Sequence, residues 1–309
     1  MNAAEREQLI ERGLEIHRRH PVIDTHSHFL VWGHLLGKNF SKRHGRPWFW
    51  NPFRNLQDLP RLREGGVACS TFTVYVPPPP TRLSAWSACG AYLDTLDRIV
   101  AANTDSMRKV DTAADLRRAF DDGQFSALTA IEGGHVIGAK LERLDALRAR
   151  GLRIFTLTHF FANRICDATF GPAVHGGLSD FGREVIAACE RLGIVVDLSH
   201  ASVQAFEQAL DLLNKPPMVT HTAIRAKVGT ERFLVEAQVR RLAQAGGALG
   251  LVLWPWYLKR FGLLTDLDFV ADEYARVADW VGAEHLMLGT DMDAFTWMPR
   301  GLRDVADLP

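Results

Sequence analysis

Short β-rich apolar runs alternate along this chain with amphipathic stretches whose charged residues keep to one face, the pattern of parallel strands joined by crossover helices. Eight such runs stand out: Val22 to His28, Val67 to Val76, Phe125 to Gly133, Ile154 to Phe160, Ile194 to His200, Met218 to Thr222, Ala248 to Trp254 and Leu286 to Asp291. Between them the spacing predicts helices over Ser84 to Val110, Lys140 to Arg150, Ser179 to Leu192, Ser202 to Leu213, Leu234 to Ala245 and Leu267 to Val281, after a charged N-terminal helix over residues 1–19. Ser179 and Asp180 can cap the orphan amides at the start of their helix, and Gly193 stands just past its end. Trp32 to Asn55 and Pro77 to Pro80 read as loops over a barrel mouth. The expected fold is a single-domain (β/α)₈ barrel over residues 1–309. Met292 to Pro309 carries no amphipathic helix pattern, so the barrel would lack its last helix or have that face covered by the N-terminal helix or a second subunit.

With 309 residues and 47% hydrophobic content the chain can bury a large core. Lys and Arg number 36, as do Asp and Glu, so no global field draws nucleic acid or an anionic membrane, and the partner to expect is a small molecule. Cys69, Cys89, Cys166 and Cys189 are scattered without a CxxC pair and read as reduced or buried thiols. The first 20 residues lack the apolar stretch of a secretory signal, and no run approaches the roughly 20 apolar residues of a membrane span, so a cytoplasmic address is expected.

The candidate chemistry lies at the ends of the apolar runs. The first ends Asp24-Thr25-His26-Ser27-His28; histidines at i and i+2 on a strand share a face, so both imidazoles can reach one ion, and imidazole suits zinc and similar metals. Glu132, His159, His200, His221 and Asp291 stand at the ends of five further runs. In a parallel barrel all strand C-termini meet at one mouth, where catalytic residues gather. Taken singly, each residue has a plainer reading. His200 could be a strand-end histidine with its bonds made, Glu132-Gly133-Gly134 the start of a solvated turn, Asp291 a turn cap and His159 a core histidine bonded to backbone. Together these readings need the same accident on six strands.

The segments Val22-Ile23-Asp24-Thr25-His26, Ala130-Ile131-Glu132-Gly133-Gly134-His135, Thr156-Leu157-Thr158-His159, Gly177-Leu178-Ser179-Asp180-Phe181-Gly182, Val196-Asp197-Leu198-Ser199-His200 and Gly289-Thr290-Asp291-Met292-Asp293 resemble the renal (membrane) dipeptidase family of the amidohydrolase superfamily. The resemblance runs from about Pro21 to the end of the chain. It implies a zinc metallo-dipeptidase holding two Zn²⁺ ions, or other divalent metals, with Glu132 bridging, His26 and His28 on one ion and His200 and His221 on the other. It also implies a hydroxide held between the metals as nucleophile, Asp291 as proton carrier, His159 steadying the oxyanion, and Arg232 holding the substrate carboxylate, with Arg225 on a further family arginine. Three differences stand beside it. His28 replaces the family's aspartate, Phe233-Leu234-Val235-Glu236 replaces the usual Asn-x-Pro-Asp, and family members continue beyond the position of Pro309. Two other functions therefore compete with hydrolysis of dipeptides: the same chemistry on another N-acyl amino acid, a lactam or an ester, and a catalytically impaired barrel that binds ligand only. A barrel flank left bare by the missing helix would predict a homodimer.

Overall fold

In the computed structural model, residues 3–45, 56–77, 84–224, 230–255, 265–295 and 298–309 are described. Nine strands follow in chain order: β1 Val22–Asp24, β2 Val67–Tyr75, β3 Met107–Lys109, β4 Phe125–Glu132, β5 Leu152–Thr156, β6 Val195–Asp197, β7 Met218–Thr222, β8 Ala248–Leu251 and β9 Leu286–Leu288. All pairings among them are parallel. Eight close a barrel in the order β1-β2-β4-β5-β6-β7-β8-β9, with β9 returning to β1 through Asp24 and Leu288. The closed (β/α)₈ barrel expected from the alternating pattern is thus the fold.

The ninth strand corrects the sequence reading. Ser84 to Val110 is not one helix: the helix is Ala85–Ala101, and Met107–Lys109 is strand β3, paired with Phe125–Ala127 on the lower half of β4. The polar run Asn103-Thr104-Asp105-Ser106 breaks the helix, with the Asn103 amide donating back to the Ile99 carbonyl, and buried Met107 then starts the strand. Three helices escaped the periodicity, the shortest being the six-residue Leu59–Glu64, capped by Asp58 accepting from the Arg61 amide. Phe29–Leu36 is nearly all apolar and so shows no two-faced pattern, ending at Gly37 with φ 62°; Ala113–Asp121 opens with a capping box of Thr112 and Asp115. The start of the stretch read as a loop from Trp32 is therefore helical, while its residues 46–55 lie outside the described residues, as do Pro78 to Pro80. Ser179 caps its helix by accepting from the Gly182 amide, and Gly193 ends it at φ 67°, as expected.

No α-helix follows β9 among the described residues. The described residues 298–309 instead pack by the helix Leu59–Glu64, where the Val305 amide donates to the Leu56 carbonyl and Asp304 pairs with buried Arg61. The N-terminal helix, Ala3–Arg19, meets this tail where Gly13 passes Pro309. His17 anchors that helix through its Nδ1 to the Gly65 carbonyl at 2.8 Å. His285 bonds the Gly247 carbonyl through its Nδ1 at 2.7 Å.

The apolar core lies between barrel and helices, with Phe155, Phe206, Leu93 and Ile131 fully buried. The barrel also buries a polar, hydroxyl-rich set: Asp24, Ser70, Thr73, Thr156, Asp197, Thr220 and Thr290. Gly250 and Gly289 let the β7 backbone come close, because a Cβ on either would overlap the Thr220 carbonyl oxygen.

Candidate active site

Each candidate residue sits at the C-terminal mouth, but most lie past the paired strand rather than on it. β1 ends at Asp24, β5 at Thr156, β6 at Asp197 and β9 at Leu288, so His26, His159, His200 and Asp291 begin the loops. His28 is the residue preceding the helix Phe29–Leu36, with φ −114°. Pairing continues beside it without regular strand, through Thr25 N to Leu288 O, Asp291 N to His26 O and His28 N to Met292 O. His200 and Asp291 take positive φ, 66° and 56°, a region that costs non-glycine residues energy and that recurs at functional sites. The i, i+2 strand argument for His26 and His28 is replaced by this turn, yet their Nε2 atoms still meet at 3.2 Å.

Glu132, at the end of β4, is the centre. Its Oε1 lies 3.5 Å from His26 Nε2, 3.2 Å from His200 Nε2, 3.4 Å from His221 Nε2 and 3.6 Å from His159 Nε2, and its Oε2 lies 3.5 Å from His28 Nε2. His200 and His221 meet through Nε2 at 2.9 Å. Asp291 Oδ1 stands 3.1 Å from His28 Nε2 and 3.8 Å from His26 Nε2. Arg232 is buried, and its Nη2 donates to the His221 carbonyl at 3.0 Å and lies 3.2 Å from His200 Nε2. Arg225 falls outside the described residues, as do Trp256 and Tyr257.

Electrostatics follow from crowding these groups out of water. Burial opposes charge on Glu132, but His159 and His26, with hydrogen bonds from His200 and His26, hold its carboxyl well below the usual range. His26 resists burial in turn and is raised to about 9, chiefly by Glu132. Burial pushes His200 and His221 well below the ordinary imidazole value, reinforced for His200 by Arg232 and for His221 by His26 and Arg232. Burial also lowers His159, against the pull of Glu132. His159, His200 and His221 are thus biased to the neutral form in which imidazole binds cations beside an ionised carboxylate, whereas His26 would give up a proton on binding one.

The residues fit a metal centre. Nitrogen and oxygen donors held about 2.0–2.1 Å from a tetrahedral zinc stand about 3.3 Å apart, close to the spacings around Glu132. Buried Glu132 Oε2 and Asp291 Oδ1 accept no hydrogen bond among the described residues, which leaves both atoms able to face a cation. Three trios of side chains lie close enough to share an ion: His26, His28 and Asp291; His26, Asp197 and His221; and Glu132, His159 and His200.

Above these groups is a cavity of about 400 Å³ whose wall includes Val31, Leu35, Tyr75, Phe160, Trp254 and Phe295. Tyr75 was not singled out in the sequence. It lies edge-on to His28 with ring centroids 6.0 Å apart and 4.6 Å from His159, and burial, then Glu132, pushes its hydroxyl up to about 12. Asp24 and Asp197, visible only as members of motifs, fasten the loops from below. Asp24 accepts from the Thr290 amide at 3.0 Å and hydroxyl at 2.6 Å, and burial raises it to about 6.

The family motifs have local causes here. A Cβ on Gly134 would crowd the Leu157 carbonyl, and one on Gly182 would overlap the Ile165 carbonyl. Asp167 folds the loop before the capped helix by accepting from the amides of Val174 at 2.7 Å, His175 at 3.0 Å and Gly177 at 2.9 Å.

Fold and site together define a (β/α)₈ barrel with an imidazole and carboxylate centre at its catalytic face. The family model for membrane dipeptidase, peptidase family M19, matches residues 10–309, and the chain belongs to that family of metallopeptidases. Dipeptidase aclJ of Aspergillus oryzae is 27% identical over 97% of this chain and 75% of its own length, and dipeptidase tcpJ of Claviceps purpurea is 31% identical over 82% and 61%. The chain therefore spans only part of these fungal relatives. A solved metallopeptidase from Rhodobacter sphaeroides, liganded with a phosphinate mimic of the dipeptide L-Ala-D-Ala, is 26% identical and matches 94% of this chain and 90% of its own with a TM-score of 0.82. No helix among the described residues is long and apolar enough to cross a membrane.

Proposed function

We propose that this chain hydrolyses the amide bond of dipeptides at a binuclear zinc site in which Glu132 bridges, His26 and His28 hold one ion, and His200 and His221 hold the other. The observation that carries this is the single buried carboxylate of Glu132 within 3.6 Å of five imidazole nitrogens from four separate segments. Bound zinc would polarise the scissile carbonyl and lower the pKa of water.

The chain's own residues supply the rest. Asp291, whose Oδ1 accepts no hydrogen bond among the described residues, takes a proton from the attacking water and returns it to the leaving amine. His159, kept neutral by burial and wedged between Tyr75 and Phe160, can donate its Nε2 proton to the developing oxyanion. Arg232, at the cavity wall, pairs with the substrate carboxylate. Protein reconstituted with zinc should hold two equivalents and cleave simple dipeptides, and Glu132→Ala should abolish turnover. Continued turnover in that variant would refute the assignment.

His28 favours a second reading. A neutral imidazole in place of an anionic ligand leaves the metal pair more positive, which suits another N-acyl amino acid, a lactam or an ester. A panel of dipeptides against those substrates separates the two. Fewer than about 0.5 zinc equivalents per chain, against the two a bridged site holds, would instead indicate a barrel that has lost catalysis.

A further inference from the structure

One hydroxyl lies beneath the mouth against an imidazole from each proposed pair. Thr220, fully buried on β7, places its Oγ1 3.3 Å from His26 Nδ1 and 3.1 Å from His221 Nδ1. We propose that Thr220 is a positioning residue that sets the tautomer of both histidines, so that one side chain orients a nitrogen donor in each half of the centre.

The argument is a count of protons. A threonine hydroxyl has one proton to give and two lone pairs. The Thr220 proton is committed to Asp197 Oδ2, which accepts it at 2.7 Å. Ser199 Oγ, 3.3 Å from Thr220 Oγ1, does not compete, because its own proton goes to Asp197 Oδ1 at 2.8 Å. What remains on Thr220 Oγ1 is acceptor capacity, and the atoms facing it are His26 Nδ1 and His221 Nδ1. Each ring must then carry a proton on Nδ1, so Nε2 is the nitrogen turned toward Glu132, 3.5 Å away for His26 and 3.4 Å for His221. The two rings stack with centroids 3.8 Å apart, so a turn of one disturbs the other. His200 gives the contrast, since its buried Nδ1 has no hydrogen-bond partner among the described residues. The same contacts argue against an ion among His26, Asp197 and His221, because the Thr220 hydroxyl already lies between them.

The consequence for metal affinity rests on the proposed zinc site; the tautomer assignment does not. The test uses full-length protein with ¹⁵N-labelled histidine, metal-free and zinc-loaded. Wild type should show protected Nδ1–H protons at both His26 and His221. Thr220→Val, which keeps the shape and removes the acceptor, should lose both and weaken zinc binding in chelator competition by about 10- to 100-fold, the usual effect of deleting a partner behind a metal ligand. Thr220→Ser should restore protons and affinity. Thr220→Val retaining both protected protons, or losing only one, overturns the proposal. If that variant does not fold, wild type still decides, since an Nδ1 without a proton at either ring in the zinc-free protein overturns it. Wild type that binds no zinc but shows both protons refutes the metal reading and leaves Thr220's role standing.

Discussion

Asp197→Asn is the substitution whose effect can be worked out furthest from the coordinates. The Asp197 carboxylate is fully buried and takes five donors: Ser199 N at 3.0 Å, Ser199 Oγ at 2.8 Å and Thr220 N at 2.9 Å on Oδ1, with Thr220 Oγ1 at 2.7 Å and Thr156 Oγ1 at 2.6 Å on Oδ2. An asparagine amide can keep the three donors on its oxygen. Its NH₂ group then faces two hydroxyls that were themselves donating. Each buried hydroxyl proton left without an acceptor costs about 1–3 kcal/mol, partly relieved where the hydroxyl turns and accepts from the new NH₂, so a net loss of about 3 kcal/mol follows. At about 2.1 cal/mol/K per residue, 309 residues give an unfolding entropy of about 0.65 kcal/mol/K, so Tm should fall by about 5 °C. Scanning calorimetry of wild type and variant in excess chelator, at one scan rate, measures this apart from any metal contribution. A shift below about 1 °C would show that Asp197 is not the acceptor on which strands β5, β6 and β7 converge.

Other expected outcomes concern separate parts of the molecule. Asp293, buried and accepting the Leu56 amide, is raised to about 7, mainly by burial. Its unfolded form loses the proton near the ordinary value of 3.8, so stability should decline as pH rises from about 4 to about 7, and Asp293→Asn should flatten that decline in urea melts at several pH values. All four cysteines are buried, and burial raises their thiols, with Cys89 and Cys189 at about 12. A thiol reagent at pH 8 should therefore label none of them in the native protein and all four in denaturant; prompt native labelling would contradict the packing. Phe155→Ala, at a fully buried ring of β5, should cost about 3–5 kcal/mol in denaturant titration. His28→Asp should tighten zinc binding in chelator competition by adding an anionic ligand beside Asp291, and unchanged affinity would place His28 outside the ligand set.

The barrel was legible because its buried parallel strands read as apolar runs and its helices as two-faced stretches, and each of the eight runs holds a barrel strand. What escaped were elements whose pattern is set by neighbours. The helix Phe29–Leu36 is apolar almost all round, and β3 is three residues long with its identity fixed only by Phe125–Ala127 beside it. The convergence of His26, His28, Glu132, His159, His200, His221 and Asp291 was legible from their positions at the ends of apolar runs, and Arg232 came from the family resemblance alone. Their supports were not: Thr220 and Tyr75 look like ordinary strand residues, and only the fold brings Thr220 between rings that lie 194 residues and one residue away in sequence.

The left-handed backbone at His200 and Asp291 bears on the history of such a barrel. Any side chain there carries a conformational cost of about 1 kcal/mol or more that glycine escapes. Glycine at either position would recover that cost, so on backbone grounds alone nothing in such a history favours histidine or aspartate there.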